Sequence, residues 1–342
     1  MINLLQSALE HKLMAAPAVE LTLDTLGFED FQLSLLRQAL AKPVGAIIVS
    51  GTCGSGVTTT LESLLVEKSQ EIHRHNKCVR IVEHIEFDID AASTVVVTNG
   101  SSSPFEQALR LALRLDPDVV HLGEVRDKES VQALARMTMS GHQVLTEVHA
   151  HSALDIPVRL RSIGVSPADL ADRHSLSALV NQALLGVVCP HCALNLDGAK
   201  QAATEGYERE QMEGIEQVID PSLHAGLRFR NEDGCEHCQI GMIGRTVVAE
   251  VVIPDDTLRK CFSQSLGVEA FLHYRKQGGL TALEHGISKA LRGIVDLRDV
   301  ERRLDQLIRL SEIGQMMGVE TGNESFVIKA DPLARHLAQA SV

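Results

Sequence analysis

The chain has 342 residues, of which 44 % are apolar and 23 % are charged; this composition is that of a soluble globular protein with room for two or more domains. A formal net charge of −13, no tryptophan and only two tyrosines argue against nucleic acid as a partner. No stretch reaches the roughly 18–20 uninterrupted apolar residues of a membrane span.

The first segment, residues 1–30, is predicted to form a short helical segment. Its start, MINLLQSALEHKLMAAP, lacks a basic region, and Glu10, His11 and Lys12 interrupt the apolar run, so it is a poor signal peptide. Seven cysteines without such a signal indicate a reducing compartment, where paired cysteines more often bind metal than form disulfides. We therefore expect a cytoplasmic protein.

The region 31–182 alternates short apolar runs with helical patterns, which is typical of a mostly parallel sheet with crossover helices. Helices are predicted over 103–115 and 127–141, the second ending at Gly141. Several runs are rich in Val and Ile and do not alternate, as expected for strands buried on both faces. The predicted strands, the last of them just beyond this region, are 44–51, 79–87, 93–100, 118–125, 142–150 and 183–189.

The stretch VSGTCGSGVTTTLESLL, residues 49–65, matches the phosphate-binding pattern G-x-x-x-x-G-K-[ST] except that Val57 replaces the lysine. Backbone N–H groups and a helix N-terminus bind phosphate in this motif, and the glycines permit the backbone path. Without the lysine ammonium at ~4 Å from a phosphate charge, an attraction on the order of 4 kcal/mol is lost at an effective ε of ~20. The alternative is a glycine-rich turn that never contacts phosphate. The residues predicted to bind nucleotide are Gly51, Gly54, Ser55, Gly56, Thr58 and Thr59.

Two C-x-x-C pairs, Cys189/Cys192 and Cys235/Cys238, lie within residues 183–252, where the chain between them is polar and looks irregular. Four thiolates suit a closed, tetrahedral structural Zn²⁺ site. The other three cysteines, which include Cys53 in the phosphate loop, are expected to be small buried apolar residues. Residues 253–311 are predicted to form a helical C-terminal segment, with a helical pattern over 296–310, and 312–342 to form a tail.

In combination, six motifs resemble the secretion and pilus motor ATPases, which power type II secretion and type IV pili as hexamers. Residues 109–155 contain LRLALRLDPD, GEVRD, the pair Gly141 and His142, and His149 at the spacing of that family's histidine box. The sequence VEHIEF resembles its acidic box, and the cysteine pairs resemble its tetracysteine region. The resemblance extends from about Leu26 to Leu310.

The resemblance implies a RecA-like P-loop NTPase sheet with ATP and Mg²⁺, followed by a zinc module and a helical segment. It implies that Glu83 polarises the attacking water, that Glu124 holds the Mg²⁺ shell, and that His149 and His142 sit near the γ-phosphate. It also implies a homo- or hetero-hexamer with a paralogous ATPase, an inner-membrane platform protein as a further partner, and a peripheral position of the chain on the inner face of the cytoplasmic membrane. Cations implied to neutralise phosphate are Arg110, Arg114 and Arg126.

The chain departs from the family pattern around the expected γ-phosphate. Val57 replaces the lysine, the acidic box is shortened, His151 replaces an asparagine, and Ala183 replaces an arginine. About thirty residues precede the ATPase region, so we also expect the family's larger N-terminal domain to be missing. These departures predict impaired hydrolysis and leave open two alternatives: a catalytically silent scaffold or regulator, or an enzyme whose cation comes from Arg110, Arg114 or Arg126.

Overall fold

The computed structural model describes residues 22–70, 76–82, 92–97, 104–203, 206–307 and 327–334. Seven strands form one sheet in the order β3-β2-β4-β5-β1-β6-β7. All neighbouring strands are parallel except β6 and β7, which are antiparallel. The predicted α/β fold with a mostly parallel sheet is therefore confirmed. The strands are β1 Gly45–Ser50, β2 Cys78–Val82, β3 Ala92–Val96, β4 Val119–Glu124, β5 Gln143–Val148, β6 Leu176–Val188 and β7 Met242–Val252.

Helices connect and cover these strands, with two short 3₁₀ helices at Leu23–Thr25 and Pro221–Gly226. Within the part of the chain that the structure describes, no helix has the length and apolar character needed to cross a bilayer. The helices are α1 Asp30–Leu40, α2 Val57–Ser69, α3 Pro104–Arg114, α4 Lys128–Met139, α5 Ile156–Ser162, α6 Pro167–Ala171, α7 Leu196–Ala202, α8 Gly206–Val218, α9 Asp256–Gln264, α10 Gly267–Lys276, α11 Ala282–Leu291 and α12 Leu297–Arg303.

The central strands are buried on both faces, which explains why their sequences do not alternate. In β1, Ala46 and Ile48 point into one apolar cluster while Ile47 and Val49 point into the other. The first cluster contains α4 and the second contains α1 and α2. The sheet therefore carries helices on both sides, and its strand ends are free to form a site.

A third apolar cluster joins β6 and β7 to α7, α8, α11 and α12. The interval between the cysteine pairs is therefore not irregular throughout, because it contains α7 and α8. Helix α12 ends at Arg303, seven residues before the end of the helical pattern predicted over 296–310, and Leu304 is its C-cap. Ile328, within the predicted tail, is buried in this cluster and bridges to Ile219.

Candidate functional site

Three neighbouring strands, β4, β5 and β1, end at the same edge of the sheet. The loop 51–56 follows β1, Glu124 is the last residue of β4, and His149 directly follows β5. Because parallel strands present their carboxyl ends together, the fold brings these three features into one crevice. This crevice is the candidate site.

The loop requires glycine at three positions, for two reasons. A Cβ on Gly51 would lie 2.2 Å from the Ser55 Oγ and 2.5 Å from the Gln182 carbonyl oxygen. Gly54 and Gly56 adopt φ of +79° and +80°, a region that other L-residues rarely occupy. Gly56 is the N-cap of α2, so the N–H groups of the first turn of this 13-residue helix lack intrahelical partners. The arrangement suits an anion such as phosphate.

Gln182 fixes the back of this loop, and the sequence pattern did not indicate it. Its Nε2 donates to the Ser55 carbonyl at 2.9 Å, and its Oε1 accepts from the Thr60 hydroxyl at 2.9 Å. Gln182 is 1 % exposed, so both hydrogen bonds are protected from water. The Ser55 side chain is also buried, and its Oγ has no hydrogen-bond partner among the described residues. Thr58 and Thr59 follow in the first turn of α2 and are half-buried.

His149 connects Glu124 with the loop. Its Nε2 lies 3.3 Å from the Glu124 Oε1, and its Nδ1 lies 3.4 Å from the Gly51 carbonyl oxygen. Arg126 Nη1 lies 4.0 Å from the Glu124 Oε2. Since the His149 side chain is 67 % exposed, its contact with Glu124 adds little stability.

Val57 is 9 % exposed and packs in the apolar cluster that contains α1 and α2. Its isopropyl group therefore contributes to the core rather than to the crevice. Cys53, by contrast, is exposed, so the expectation that it is buried is wrong; Cys78 and Cys261 are buried as expected. The difference arises because Cys53 lies at the outer turn of the loop, beside Gly54.

Two of the predicted site residues lie near the amino ends of the strands, opposite the crevice. His142 precedes β5, and its carbonyl accepts a hydrogen bond from the N–H of Gly45, at the start of β1. The six residues of β1 separate it by about 20 Å from the loop, at ~3.3 Å per residue. Arg114 ends α3 just before β4 begins, and Arg110 is one turn earlier. The structure thus places His142 and Arg114 away from this crevice. Glu83 lies outside the described residues.

A buried charged cluster lies behind α2 and was not anticipated from the sequence. The Arg80 Nη1 donates to the Glu62 Oε1 at 2.9 Å, and the His121 Nδ1 lies 3.6 Å from the same oxygen. Burial acts to raise the pKa of Glu62, but His121 and Arg80 lower it overall. The signal was an acidic residue on the buried face of a helical pattern and a basic residue inside an apolar run.

The four cysteines of the two pairs come together at one point. Sγ–Sγ distances are 3.8 Å for Cys189–Cys235, 3.6 Å for Cys192–Cys238 and 3.6 Å for Cys235–Cys238. A tetrahedron with Zn–S bonds of ~2.3 Å has edges of about 3.8 Å, so the sulfurs fit one Zn²⁺. Burial acts to raise the pKa of Cys238, but neighbouring thiols hold it at about 7. Among the described residues, this is the one group of three or more ligand atoms close enough to share a metal.

Comparison with known proteins adds family relationships to this geometry. The sequence profile described as "Type II/IV secretion system protein" matches residues 7–302. The chain is 29 % identical over 296 residues to type II secretion system protein E of Pseudomonas aeruginosa, covering 85 % of this chain and 55 % of that protein. It is 31 % identical over 285 residues to the Aeromonas hydrophila protein of the same name (83 % and 53 %), and 29 % identical over 294 residues to the type IV pilus assembly ATPase PilB of P. aeruginosa (85 % and 49 %). The chain thus spans about half the length of these relatives.

Solved structures show the same fold at lower sequence identity. The Legionella pneumophila ATPase DotB superposes with a TM-score of 0.57 at 19 % identity, covering 82 % of this chain and 64 % of that one. The pilus retraction motor PilT with bound ADP gives a TM-score of 0.59 at 20 % identity, covering 87 % and 71 %.

Proposed function

Because the chain belongs to the type II/IV secretion system protein family, we propose that it binds ATP and Mg²⁺ at the loop after β1 as a subunit of a secretion or pilus motor. We propose further that its hydrolysis is impaired. It would form a homo-hexamer, or a hetero-hexamer with a paralogous ATPase. This ring would bind an inner-membrane platform protein. It would then act in the cytoplasm, at the inner face of the cytoplasmic membrane.

One observation carries the nucleotide-binding part of this proposal. The glycine loop, the open first turn of α2 and the Glu124–His149 pair lie together at the ends of β1, β4 and β5. The N–H groups of the loop would hold the phosphates, and Thr58 would offer its hydroxyl to Mg²⁺. Glu124 would bind the water shell of the Mg²⁺, and Glu83 would polarise the attacking water.

The burial of Val57 supports impaired hydrolysis. A P-loop lysine places its ammonium on the β- and γ-phosphates, where charge shifts during phosphoryl transfer. Val57 packs in the core instead. Losing half of a ~4 kcal/mol contact corresponds to a roughly 30-fold slower reaction. Backbone contacts to phosphate do not depend on this side chain, so binding would be retained.

The same observation favours a second candidate, a catalytically silent subunit that serves as scaffold or regulator in a ring with an active ATPase. The two candidates differ in one measurable quantity. In a slow motor the missing cation limits the rate of ATP turnover, so a lysine at position 57 should raise that rate. In a silent subunit ATP is not turned over, and a lysine at position 57 should not change this.

The test measures ATP affinity and turnover for the native chain and for Val57→Lys, with Gln70→Lys as the matched control. Gln70 is exposed at the far end of α2, so a lysine there adds the same charge away from the loop. We expect the native chain to bind Mg-ATP, and Val57→Lys to turn it over at least roughly 30-fold faster. Gln70→Lys should behave as native.

Each other outcome has a defined meaning. Absence of ATP binding in both the native chain and Val57→Lys would refute nucleotide binding. Measurable native turnover that equals the turnover of Val57→Lys would refute impaired hydrolysis and the silent subunit alike. Binding by both chains with turnover by neither would favour the silent subunit.

A further inference from the structure

A cavity of about 500 Å³ lies beside the candidate site, and the nucleotide proposal does not use it. The segment after β5, the buried parts of β6 and β7, and the first turns of α10 and α11 form its wall. Its apolar wall includes Val268, Phe271 and Leu283, and its polar wall includes the carboxylates of Asp155 and Glu250. No lysine or arginine is among the described residues that line it.

Glu250 is the buried group in this wall. It is 4 % exposed, and its Oε2 accepts a hydrogen bond from the Ala153 N–H at 2.8 Å. Its Oε1 has no hydrogen-bond partner among the residues that the structure describes. The positive charge of Arg275 acts on Glu250, but its guanidinium is bound to Glu284, with Nη2 2.7 Å from Oε1, and to the Gly279 carbonyl. A buried carboxylate with an open oxygen in a cavity favours a cationic occupant.

We propose that this cavity binds an organic cation, an ammonium or guanidinium carried on an alkyl stem. The stem would pack against Phe271, Leu283 and Val268, and the cation would bind between Glu250 and Asp155. A single metal ion does not suit the cavity. Among the described residues, three ligand atoms approach closely enough for that only at the four cysteines. The proposal does not depend on nucleotide binding.

The charge of Glu250 makes this binding depend on pH. Burial, with help from Asp155 and Glu284, raises the pKa of Glu250 to about 7, while the Ala153 N–H and Arg275 act in the opposite direction. A bound cation favours the ionised carboxylate and so releases a proton. Affinity therefore rises with pH, by about tenfold between pH 6 and pH 8, because the ionised fraction rises from roughly 9 % to 91 %. His151 and Asp305 are the other titratable groups in the described wall.

Calorimetric titration of the full chain with agmatine tests the proposal, with N-butylurea as a neutral compound carrying a similar stem. N-acetyl-arginine methylamide represents a basic side chain of a second protein. If it binds more tightly than agmatine, the natural source is a protein side chain; if it binds less tightly, the source is a free cation. In either case one site should saturate, and N-butylurea should not bind.

Two variants and a control complete the design. Glu250→Gln keeps the Ala153 hydrogen bond and should weaken agmatine binding at least tenfold. Val158→Lys places a competing ammonium at the exposed rim and should abolish it. Glu269→Gln, exposed on α10 outside the cavity wall, should bind as native. The proposal is overturned if neither cation saturates a site, or if a folded Glu250→Gln chain binds agmatine as tightly as the native chain.

Discussion

The imidazole of His149 lies between two parts of the candidate site, with Nε2 3.3 Å from the Glu124 Oε1 and Nδ1 3.4 Å from the Gly51 carbonyl oxygen. Glu124 ends one strand and Gly51 begins the loop after another, with β5 between those strands. The ring therefore joins the carboxylate expected to hold Mg²⁺ to the backbone expected to hold phosphate. Because Glu124 and Gly51 share the His149 ring, a substitution at one of them changes the surroundings of the imidazole that contacts the other.

Replacing Glu124 with glutamine should remove the Mg²⁺ dependence of ATP binding. The carboxylate attracts the hydrated ion, whereas the loop N–H groups bind phosphate without it. We expect Mg²⁺ to strengthen ATP binding by the native chain and to have no effect on Glu124→Gln, with equal affinities in EDTA. Glu129→Gln, on the surface of α4, is the control for lost charge. A persisting Mg²⁺ effect in Glu124→Gln would show that the ion is held elsewhere.

The resemblance to secretion and pilus motor ATPases implied that Glu124 and His149 lie near the phosphate loop. The structure brings the three together because the carboxyl ends of parallel strands meet. The sequence could not predict Gln182, because that residue depends on β6 lying beside β1, and strand order is not written in local patterns. The resemblance placed His142 near the γ-phosphate as well, but in the structure it precedes β5 whereas His149 follows it, so the two lie at opposite ends of that strand. The Glu62–Arg80 pair joins a helix and a strand whose contact only the folded sheet creates.

Gly51→Ala should destabilise the protein because the new methyl group would meet the Gln182 carbonyl oxygen, which is backbone and cannot move alone. We expect a loss of about 1–3 kcal/mol in unfolding free energy by urea titration, together with loss of ATP binding. The matched control is Gly214→Ala, within α8 with no atom near the added Cβ. That change should stabilise the protein by about 1 kcal/mol. Equal effects of the two changes would contradict the close packing at Gly51.

Removing one member of the buried Glu62–Arg80 pair should cost more than removing both. Their side chains are 3 % and 1 % exposed, so Arg80→Met leaves the Glu62 carboxylate buried beside His121 alone. We expect that single change to cost about 3–5 kcal/mol, and Glu62→Gln combined with Arg80→Met to recover most of it. Urea unfolding of both single variants and the double variant measures the coupling. Additive losses would mean that the two charges do not stabilise each other.

The cysteine cluster should contain one Zn²⁺ per chain. Metal analysis of the purified protein measures its content, and a chelator should lower the unfolding temperature because the four sulfurs fold around the ion. Cys235→Ser should lose the zinc and show the lower temperature without chelator. Cys53→Ser, an exposed cysteine outside the cluster, should retain both. Full zinc content in Cys235→Ser would rule out this four-sulfur site.

Glu250 should make the native chain less stable as pH rises from about 4.5 to 7. Burial raises its pKa from 4.5 to about 7, so the folded state favours the neutral carboxyl. That stabilisation is complete below pH 4.5, is lost as pH rises through 7 and stays constant above it. The whole difference is about 3 kcal/mol. Glu250→Gln lacks this titration, so its unfolding free energy relative to native should increase by about that amount between pH 4.5 and pH 8. Urea unfolding at several pH values measures it, with Glu269→Gln expected to run parallel to native. Parallel curves for native and Glu250→Gln would mean that the Glu250 carboxyl titrates in the folded protein as it does in water.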